Sequence, residues 1–517
     1  MAAFVLSLDQ GTTSSRAILF DESCRAVRSA KLEFTQIFPQ PGWVEHDPEE
    51  VWETQLRAAK RACGKDGGKV VAVGIANQRE TSIVWDRRTG RPVCNAIVWQ
   101  CRRSAPIVKG LISRGLSSYI KKRTGLVPDA YFSGPKITWI LRNIPNARAK
   151  AKRGVLAFGT VDTYLLWKLS GGRIHATDYS NASRTMMFDI HRRCWDQRLL
   201  DILEIPLDML PEVKASNEVF GFTDRAFFGS EIPICGVLGD QQAALFGQAG
   251  FKKGSIKNTY GTGCFILSNV GEQPVISKSN LLSTIAWVID GKATYAVEGS
   301  VFIGGAVVQW LRDKLAIIKD SSDTESIARS TPDNGGVYFV PALTGLGAPY
   351  WDMYARGMII GITRDTTRDH IVRAALEAIC MQTADVIDTM TGSSGIRVKS
   401  LAVDGGASVN NFLMQLQSDL LGLCVERPTI LETTALGAAF LAGLSSGVWS
   451  DLKELGALRK VDRVFKPRMA KAKRLELRRE WKRAVLRTRG WAAPKASVSH
   501  SCSSVNSSEA NSRYPRS

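Results

Sequence analysis

The sequence lacks most of the patterns that assign a protein to a class at first sight. Its ten cysteines are scattered without a CxxC pair, which predicts reduced thiols in a reducing compartment instead of a disulfide framework. The five histidines share no metal-ligand spacing and no HExxH occurs, so we expect no structural zinc. Neither a GxxxxGK[ST] loop nor a GxGxxG turn after a strand is present, which disfavours the P-loop and dinucleotide-binding folds.

Long apolar segments are also scarce. The opening residues, MAAFVLSLDQ, have no basic stretch before the apolar one, so no secretory signal is expected. The uncharged segment 433–450 is at the short end for a bilayer of roughly 30 Å. Its glycines are compatible with a membrane helix or with a buried helix, and we favour the buried helix. The sequence therefore predicts no integral membrane segment.

Positive charge is abundant but uneven. The net charge is +19, and residues 451–491 hold fifteen Lys and Arg against five Asp and Glu. Such a segment fits either a patch for nucleic acid or anionic membrane, or the solvated face of a helix over 467–491. The helix is favoured, with Leu475, Leu477, Trp481, Val485 and Leu486 pointing inward, and no nucleic-acid partner is expected. The Ser-rich residues 493–517 are predicted to be a disordered tail.

The remaining pattern alternates strands with helices, which predicts an α/β protein. Apolar runs separated by a Gly/Thr/Ser turn form a hairpin over residues 4–20 and a similar one over 256–272. Helices are predicted over 56–63, 107–120, 370–390 and 410–422. The repeated hairpin predicts two related domains, 1–249 and 250–492, with a boundary near residue 250.

Three turns rich in Gly, Ser and Thr, at 9–16, 259–263 and 404–411, could bind phosphate through backbone N–H groups. A single turn of this composition usually has no ligand-binding function. Three of them on two related halves, with Asp9 able to face Mg²⁺ through water and Arg16 as a fixed cation, favour nucleotide binding.

Two polar groups interrupt apolar runs. Arg79 and Glu80 are either an exposed ion pair or two hydrogen-bonding groups for a polyol. Asp240 precedes a helix and is either its N-cap or a general base, and the residues alone leave both readings open.

The longer motifs carry a resemblance. LDQGTTSSRAILFD, GIANQRET, TDYSNASRTMMFDI, GDQQAALFGQ, KNTYGTGCF and AVDGGASVNNFLMQLQSD are similar to the FGGY carbohydrate kinases of the actin-like ATPase superfamily, and among them to the members that phosphorylate glycerol. The similarity runs from about residue 4 to 490. It implies two related actin-like (ribonuclease H-like) domains with an active-site cleft between them.

The resemblance also implies roles for individual residues. Asp240 would be the general base, and Asp9 would face Mg²⁺. The substrate ligands would be Arg79, Glu80, Trp99, Tyr131, Asp240, Gln241 and Phe265. The ATP contacts would be Thr12, Thr13, Ser14, Arg16, Thr262, Gly305, Gln309, Gly406 and Asn410.

The implied reaction is ATP + glycerol → sn-glycerol 3-phosphate + ADP in the cytoplasm, by a homodimer or homotetramer. The alternatives are a kinase for another small polyol or a ketose, and a non-catalytic nucleotide-binding scaffold. The stretch GFTDRAFFGSEIPICG lacks the paired glycines of bacterial members regulated by fructose 1,6-bisphosphate, so that regulation is not expected here.

Overall fold

The computed structural model describes residues 3–277, 279–394 and 396–493. Residues 494–517 lie outside the described residues, so the disorder of the tail stays a prediction. Within the described part, strands and helices alternate and build two large sheets, and the predicted α/β class is confirmed.

The first half of the chain begins with the predicted hairpin and ends with a buried helix. Its strands are β1 (Phe4–Gln10), β2 (Ser14–Asp21), β3 (Ala26–Glu33), β4 (Glu45–His46), β5 (Val70–Asn77), β6 (Ile83–Asp86), β7 (Ala96–Ile97), β8 (Leu156–Gly159), β9 (Ala176–Asp178), β10 (Phe188–Asp189), β11 (Cys194–Trp195), β12 (Glu212–Lys214), β13 (Gly221–Phe222) and β14 (Pro233–Gly239). Its helices are α1 (Pro48–Cys63), α2 (Ala105–Ser113), α3 (Ser117–Thr124), α4 (Ser133–Asn143), α5 (Ala147–Lys152), α6 (Val161–Leu169), α7 (Tyr179–Ala182), α8 (Gln197–Leu203), α9 (Arg225–Phe228) and α10 (Asp240–Gly247), with 3₁₀ turns at Gly64–Lys69 and Leu207–Met209.

The large sheet of this half has the strand order β13-β14-β5-β1-β2-β3. β1 and β2 form an antiparallel hairpin, whereas β1, β5 and β14 run parallel to one another. The register places Gln10, Asn77 and Gly239 side by side at the carboxyl ends of these three strands. The segments that follow each strand therefore emerge at one edge of the sheet, which is where open α/β sheets bind ligands.

The second half repeats this layout. Its strands are β15 (Ile256–Tyr260), β16 (Cys264–Gly271), β17 (Leu282–Ile289), β18 (Lys292–Val301), β19 (Tyr338–Val340), β20 (Met358–Ile360), β21 (Ser400–Asp404), β22 (Cys424–Pro428) and β23 (Val461–Phe465). Its helices are α11 (Gly305–Asp313), α12 (Asp323–Ser330), α13 (Arg368–Ser394), α14 (Asn411–Leu421), α15 (Thr433–Ser445), α16 (Leu452–Leu458) and α17 (Lys471–Thr488), with a 3₁₀ turn at Gly406–Val409.

The second large sheet has the order β17-β18-β16-β15-β21-β22-β23. Here too an antiparallel hairpin, β15 with β16, continues into parallel strands, because β15 pairs with β21 and β21 with β22. Thr259 lies beside Asp404 in this register. The order β3-β2-β1-β5-β14 thus corresponds to β18-β16-β15-β21-β22, as the repeated hairpin predicts.

Helix α15 joins the halves. It comes from the second half but packs against β1, β5, β14 and α10 of the first half, and ten of its residues are buried, as predicted for segment 433–450. A β-carbon at Gly437 would overlap the carbonyl group of Ala243, and one at Gly74 would overlap the carbonyl group of Ala438. These glycines therefore allow the backbones of the two halves to approach closely.

The helix predicted over 107–120 is wrong as a single element. The structure divides it into α2 and α3, because Gly115 takes a left-handed φ of 71° that an α-helix cannot continue through. The other predicted helices are present, with somewhat different ends.

The basic C-terminal helix, α17, is shorter than the predicted 467–491. Trp481 and Val485 are buried and Leu477 packs against the core, but Leu475 and Leu486 are 56% and 65% exposed, so the prediction that they point inward was wrong. At 3.6 residues per turn both leucines lie off the face that Trp481 and Val485 define. Among residues 3–277, 279–394 and 396–493, no helix is both long enough and apolar enough to cross a membrane.

Candidate active site

Two cavities meet at the second hairpin turn. The first, which we call the ionic cleft, has a volume of about 410 Å³ and is lined by residues of both halves, including Thr12, Thr13, Arg79, Glu80, Trp99, Tyr131, Asp240, Gln241, Thr262 and Phe265. The second, the helix-lined pocket, has a volume of about 440 Å³ and lies within the second half. Gly261 and Thr262 line both cavities.

The first hairpin turn closes one side of the ionic cleft. The Gly11 N–H donates to the Ser14 carbonyl oxygen at 3.0 Å, and Ser14 opens β2. The hydroxyl group of Thr12 accepts a hydrogen bond of 2.9 Å from the indole N–H of Trp99. The turn is therefore fixed against one aromatic wall of the cleft, and Thr12 and Thr13 line the cavity, whereas Ser14 lines neither cavity.

Asp9 and Arg16 lie opposite each other across this hairpin. Burial raises the pKa of Asp9 to about 6, opposed by the nearby Arg16 and assisted by the charges of Asp240 and Glu432. Arg16 forms an ion pair of 3.2 Å with Glu432, a residue that the sequence reasoning did not single out. Asp9 is thus close enough to Asp240 for that charge to affect its pKa. Neither Asp9 nor Arg16 lines the cleft itself.

Three aromatic rings form the apolar wall of the cleft. Trp99 meets Tyr131 and Phe265 edge to face, with ring centroids 5.5 Å and 6.0 Å apart. Burial and the charge of Glu80 raise the pKa of Tyr131 well above its usual value, so its hydroxyl group is protonated. No described residue supplies a hydrogen-bond partner to that hydroxyl group.

Arg79 is held by carboxylates from both halves. Its guanidinium group forms a two-pronged pair with Glu298 of β18, at 2.5 and 3.0 Å, and its Nε lies 3.2 Å from Asp240 Oδ1. Glu298 and Arg79 are buried, and the two arginines beside Glu298 lower its pKa to about 2 against the opposing effect of burial. Arg79 is therefore part of a buried charge network and not an exposed ion pair.

Glu80 belongs to the same network through Arg184. Arg184 donates from Nε to Glu80 Oε1 at 2.6 Å and from Nη2 to Glu298 Oε1 at 3.0 Å. The Glu80 backbone has a left-handed φ of 59°, and its carbonyl oxygen accepts from Ser133 and from Lys136 at 3.1 Å each. Strained backbone of this kind persists only where surrounding contacts fix it, and it fixes the direction of the Glu80 side chain.

Asp240 is the first residue of α10, and Gly239 holds the N-cap position. The Asp240 carboxylate accepts from the Gln241 N–H at 2.7 Å, and 26% of the side chain is exposed. The structure thus excludes the N-cap reading of Asp240, because Gly239 occupies the cap position. Asp240 lines the cleft instead.

Sequence reasoning missed Lys257, which lies beneath the cleft on β15. Its ammonium group donates to Gln241 Oε1 at 2.5 Å, to Thr259 Oγ1 at 2.8 Å and to the Phe265 carbonyl oxygen at 3.2 Å. Burial lowers its pKa to about 8, opposed by Asp404 and Asp240. The strand β15 reads IKNTY, so Lys257 is one of three polar residues there and the sequence alone does not single it out. Glu298 and Arg184 were also missed, because the residues that they pair with are distant in the sequence.

The helix-lined pocket contains the other expected nucleotide contacts. Gly305, Gln309, Gly406 and Asn410 line it, together with apolar side chains of α11, α13 and α14, namely Val308, Leu376, Ile379 and Leu413. The second turn joins it directly, because the N–H of Gly305 donates to the Gly261 carbonyl oxygen at 2.8 Å. Ser321, Ser322, Thr324 and Glu325 also line this pocket and were not predicted.

Gly405 and Asn410 fix the turn and the start of α14 that border this pocket. Gly405 has a φ of 84°, and a β-carbon there would lie 2.6 Å from the Tyr260 carbonyl oxygen. Asn410 caps α14 by accepting from the Leu413 N–H at 2.9 Å. The pocket is thus enclosed by α11, α13, α14 and this turn, and it opens toward Gly261 and Thr262, which it shares with the ionic cleft.

Comparison with known proteins agrees with this geometry. Residues 4–247 match the N-terminal domain, and residues 256–446 the C-terminal domain, of the FGGY family of carbohydrate kinases. The chain is 61% identical over 491 residues to glycerol kinase 2 of Thermotoga maritima, covering 94% of this chain and 99% of that protein. It is 58% identical over 495 residues to the glycerol kinase of Caldanaerobacter subterraneus, covering 95% of this chain and 100% of that protein.

Solved structures of carbohydrate kinases share the fold of this chain. A crystal structure of Plasmodium falciparum glycerol kinase with ADP superposes with a TM-score of 0.88 at 38% identity, covering 94% of this chain and 98% of that chain. A gluconate kinase from Lactobacillus acidophilus shares the fold, with a TM-score of 0.84 at 24% identity, covering 94% of this chain and 98% of that chain. The chain belongs to the FGGY family of carbohydrate kinases.

Proposed function

We propose that this kinase transfers the γ-phosphoryl group of ATP to glycerol, giving sn-glycerol 3-phosphate and ADP. The observation that carries the proposal is that the ionic cleft and the helix-lined pocket share Gly261 and Thr262. A nucleotide in the pocket would have its terminal phosphate at that turn, next to a triol in the cleft. The named relatives that are 58–61% identical support glycerol as that triol.

The ionic cleft offers the donors and acceptors that a small polyol needs. Arg79 donates, Glu80 and Asp240 accept, and the Tyr131 hydroxyl group can do both. Trp99 and Phe265 cover the C–H faces of the carbon chain. Because these polar groups are positioned by buried partners, an analogue that lacks one hydroxyl group leaves one of them unpaired, which costs roughly 1–3 kcal/mol.

Asp240 would act as the general base. It would accept the proton of the attacking hydroxyl group while that oxygen forms its bond to the γ-phosphorus and ADP leaves on the opposite side. Arg79, 3.2 Å from Asp240 Oδ1, holds the carboxylate in place. The backbone N–H groups and hydroxyl groups of the two hairpin turns, with Arg16, would stabilise the charge on the transferring group.

Asp9 fits a Mg²⁺ ion that is bound mostly by water and phosphate. The described residues contain no group of three or more His, Cys, Asp or Glu that could hold a metal ion by themselves. A single partly buried carboxylate beside the phosphate-binding turn is the donor set that Mg²⁺ commonly takes with a nucleotide. When bound, the ion would neutralise phosphate charge, and Asp9 would fix its position.

A coupled ADP-release assay tests the proposal. Turnover should require ATP and glycerol together, and kcat/KM for glycerol should exceed that for xylulose by about 10²-fold or more. Equal rates with the two substrates would favour a kinase of broader polyol specificity. ATP binding without any turnover would favour the non-catalytic nucleotide-binding scaffold.

A cytoplasmic location and assembly into dimers or tetramers stay predictions. Light scattering after size-exclusion chromatography tests the assembly.

A further inference from the structure

A third cavity lies where the chain passes from the first half to the second. It has a volume of about 300 Å³ and is formed by the connection from α10 to β15, the start of β21 and the segment before β23. We call it the hinge cavity. Its charged lining residues are Lys252, Lys253, Arg397, Lys399, Arg459 and Glu426. Five cations thus surround one small space with a single carboxylate.

Most of this positive charge is not neutralised. Arg459 lies 3.2 Å from Glu426, but no carboxylate of the described residues forms an ion pair with Lys252, Lys253, Arg397 or Lys399. The two backbone segments that carry these side chains lie in contact. A β-carbon at Gly254 would lie only 3.4 Å from the Arg397 carbonyl oxygen. Cations that are held together around a cavity attract a small anion strongly, because their potentials add within a low-dielectric wall.

Arg459 contributes a guanidinium group to the floor of the cavity. Its Nε donates to Gln248 Oε1 at 3.1 Å and its Nη1 to Glu426 at 3.2 Å. Its Nη2 is buried and has no hydrogen-bond partner. A guanidinium group with an unused N–H matches the oxygens of a phosphate group better than an ammonium group does.

The floor of the hinge cavity is connected to the active site. Gln248, which bonds Arg459, also donates to Asp404 Oδ2 at 2.9 Å, and Asp404 directly precedes the Gly405-Gly406 turn of the helix-lined pocket. Gln248 also follows α10, the helix that begins with Asp240. A ligand that engaged Arg459 would therefore act on the contacts that hold both ends of the catalytic arrangement.

We propose that the hinge cavity binds a small phosphate-bearing anion at a site separate from the ATP site. Lys252 and Lys253 contribute from the connection between the halves, Arg397 and Lys399 from the second half, and Arg459 from the floor. The inference does not depend on which polyol the kinase phosphorylates.

The test is a calorimetric titration of the full chain with inorganic pyrophosphate, after a non-hydrolysable ATP analogue has saturated the active site. The wild-type protein should bind one pyrophosphate, and R397Q/K399Q should weaken its Kd at least about tenfold. The matched control is K471Q/K482Q, which removes two exposed charges from α17. It should bind pyrophosphate like the wild type, and ATP affinity should be unchanged in both variants.

Three results would overturn the proposal. These are no saturable binding by the wild-type protein, wild-type affinity in R397Q/K399Q, and equal weakening in R397Q/K399Q and K471Q/K482Q, which would mean that only overall charge matters. If R397Q/K399Q does not fold, K252Q/K253Q makes the same test from the connecting segment, with the same expected loss of affinity.

Discussion

The ionic cleft and the helix-lined pocket are both suited to a polar ligand, but they are built from different kinds of groups. In the cleft, four buried side chains, Arg79, Glu80, Arg184 and Glu298, neutralise one another across the two halves. In the helix-lined pocket, glycines, backbone groups and apolar side chains of three helices provide most of the surface. The cleft is therefore rigid and specific because each charge needs its partner, whereas the pocket depends on shape.

This difference predicts how each region responds to substitution. A buried charge that loses its partner is costly, so single changes in the cleft should have large effects. A pocket that is shaped by several small contacts should lose affinity gradually.

Asp240→Asn should have the largest effect on activity. Without a group to accept the proton of glycerol, kcat should fall about 10²–10⁴-fold. Binding of a non-hydrolysable ATP analogue, measured by calorimetry, should remain near that of the wild-type protein. Turnover close to normal in this variant would remove Asp240 as the general base.

Glu298→Gln tests whether the cleft depends on paired charges. The substitution keeps the size of the side chain but leaves Arg79 and Arg184 without their shared carboxylate. The free energy of unfolding should fall by roughly 3–5 kcal/mol, and the KM for glycerol should rise. Chemical denaturation measures the first effect. The control is Glu476→Gln, which removes an exposed pair with Lys473 and should cost at most about 1 kcal/mol. Equal losses in both variants would contradict the contrast.

Arg79→Ala separates the two cavities by kinetics. The lost charged hydrogen bonds should raise the KM for glycerol by roughly 10–100-fold, since such bonds contribute about 1.5–3 kcal/mol. The KM for ATP should change far less, because Arg79 lines only the ionic cleft. Steady-state kinetics with each substrate varied in turn measures both values, and equal shifts would contradict the assignment.

Asp9 of the first hairpin gives a pH-dependent prediction. Its folded pKa of about 6 lies above the ordinary value of 3.8, so the folded protein binds this proton more tightly than the unfolded chain does. The stability that the proton contributes is complete below about pH 4 and is lost as the pH rises through 6.

Asp9→Asn should therefore be more stable than the ligand-free wild-type protein above pH 6, on the order of 1–3 kcal/mol. The difference should disappear below pH 4. Denaturation of both proteins at several pH values without Mg²⁺ checks this expectation. A difference that grew toward low pH would show that burial does not raise the pKa of Asp9.

Much of this arrangement could be predicted from the sequence because it depends on short segments. The two hairpins, the α/β class and the helix that Asn410 begins all follow from local patterns of apolar and turn residues. The buried charge network could not be predicted, because Arg79 and Glu298 are 219 positions apart and meet only through the packing of the two halves. The exposed Leu475 shows the reverse error, in which a local pattern suggested burial that the tertiary structure does not provide.

Asn410→Ala should have the smallest effect and completes the comparison. The side chain caps α14 and also donates to Thr324 Oγ1 at 3.3 Å, so its loss should cost about 1 kcal/mol of stability. Because the pocket is shaped by many such contacts, the KM for ATP should rise only a few-fold and the KM for glycerol should stay unchanged. Asn410→Asp, which retains a capping oxygen, should recover most of the lost stability. If Asn410→Ala abolished ATP binding altogether, the helix-lined pocket would depend on individual polar contacts as strictly as the ionic cleft does, and the contrast between the two regions would fail.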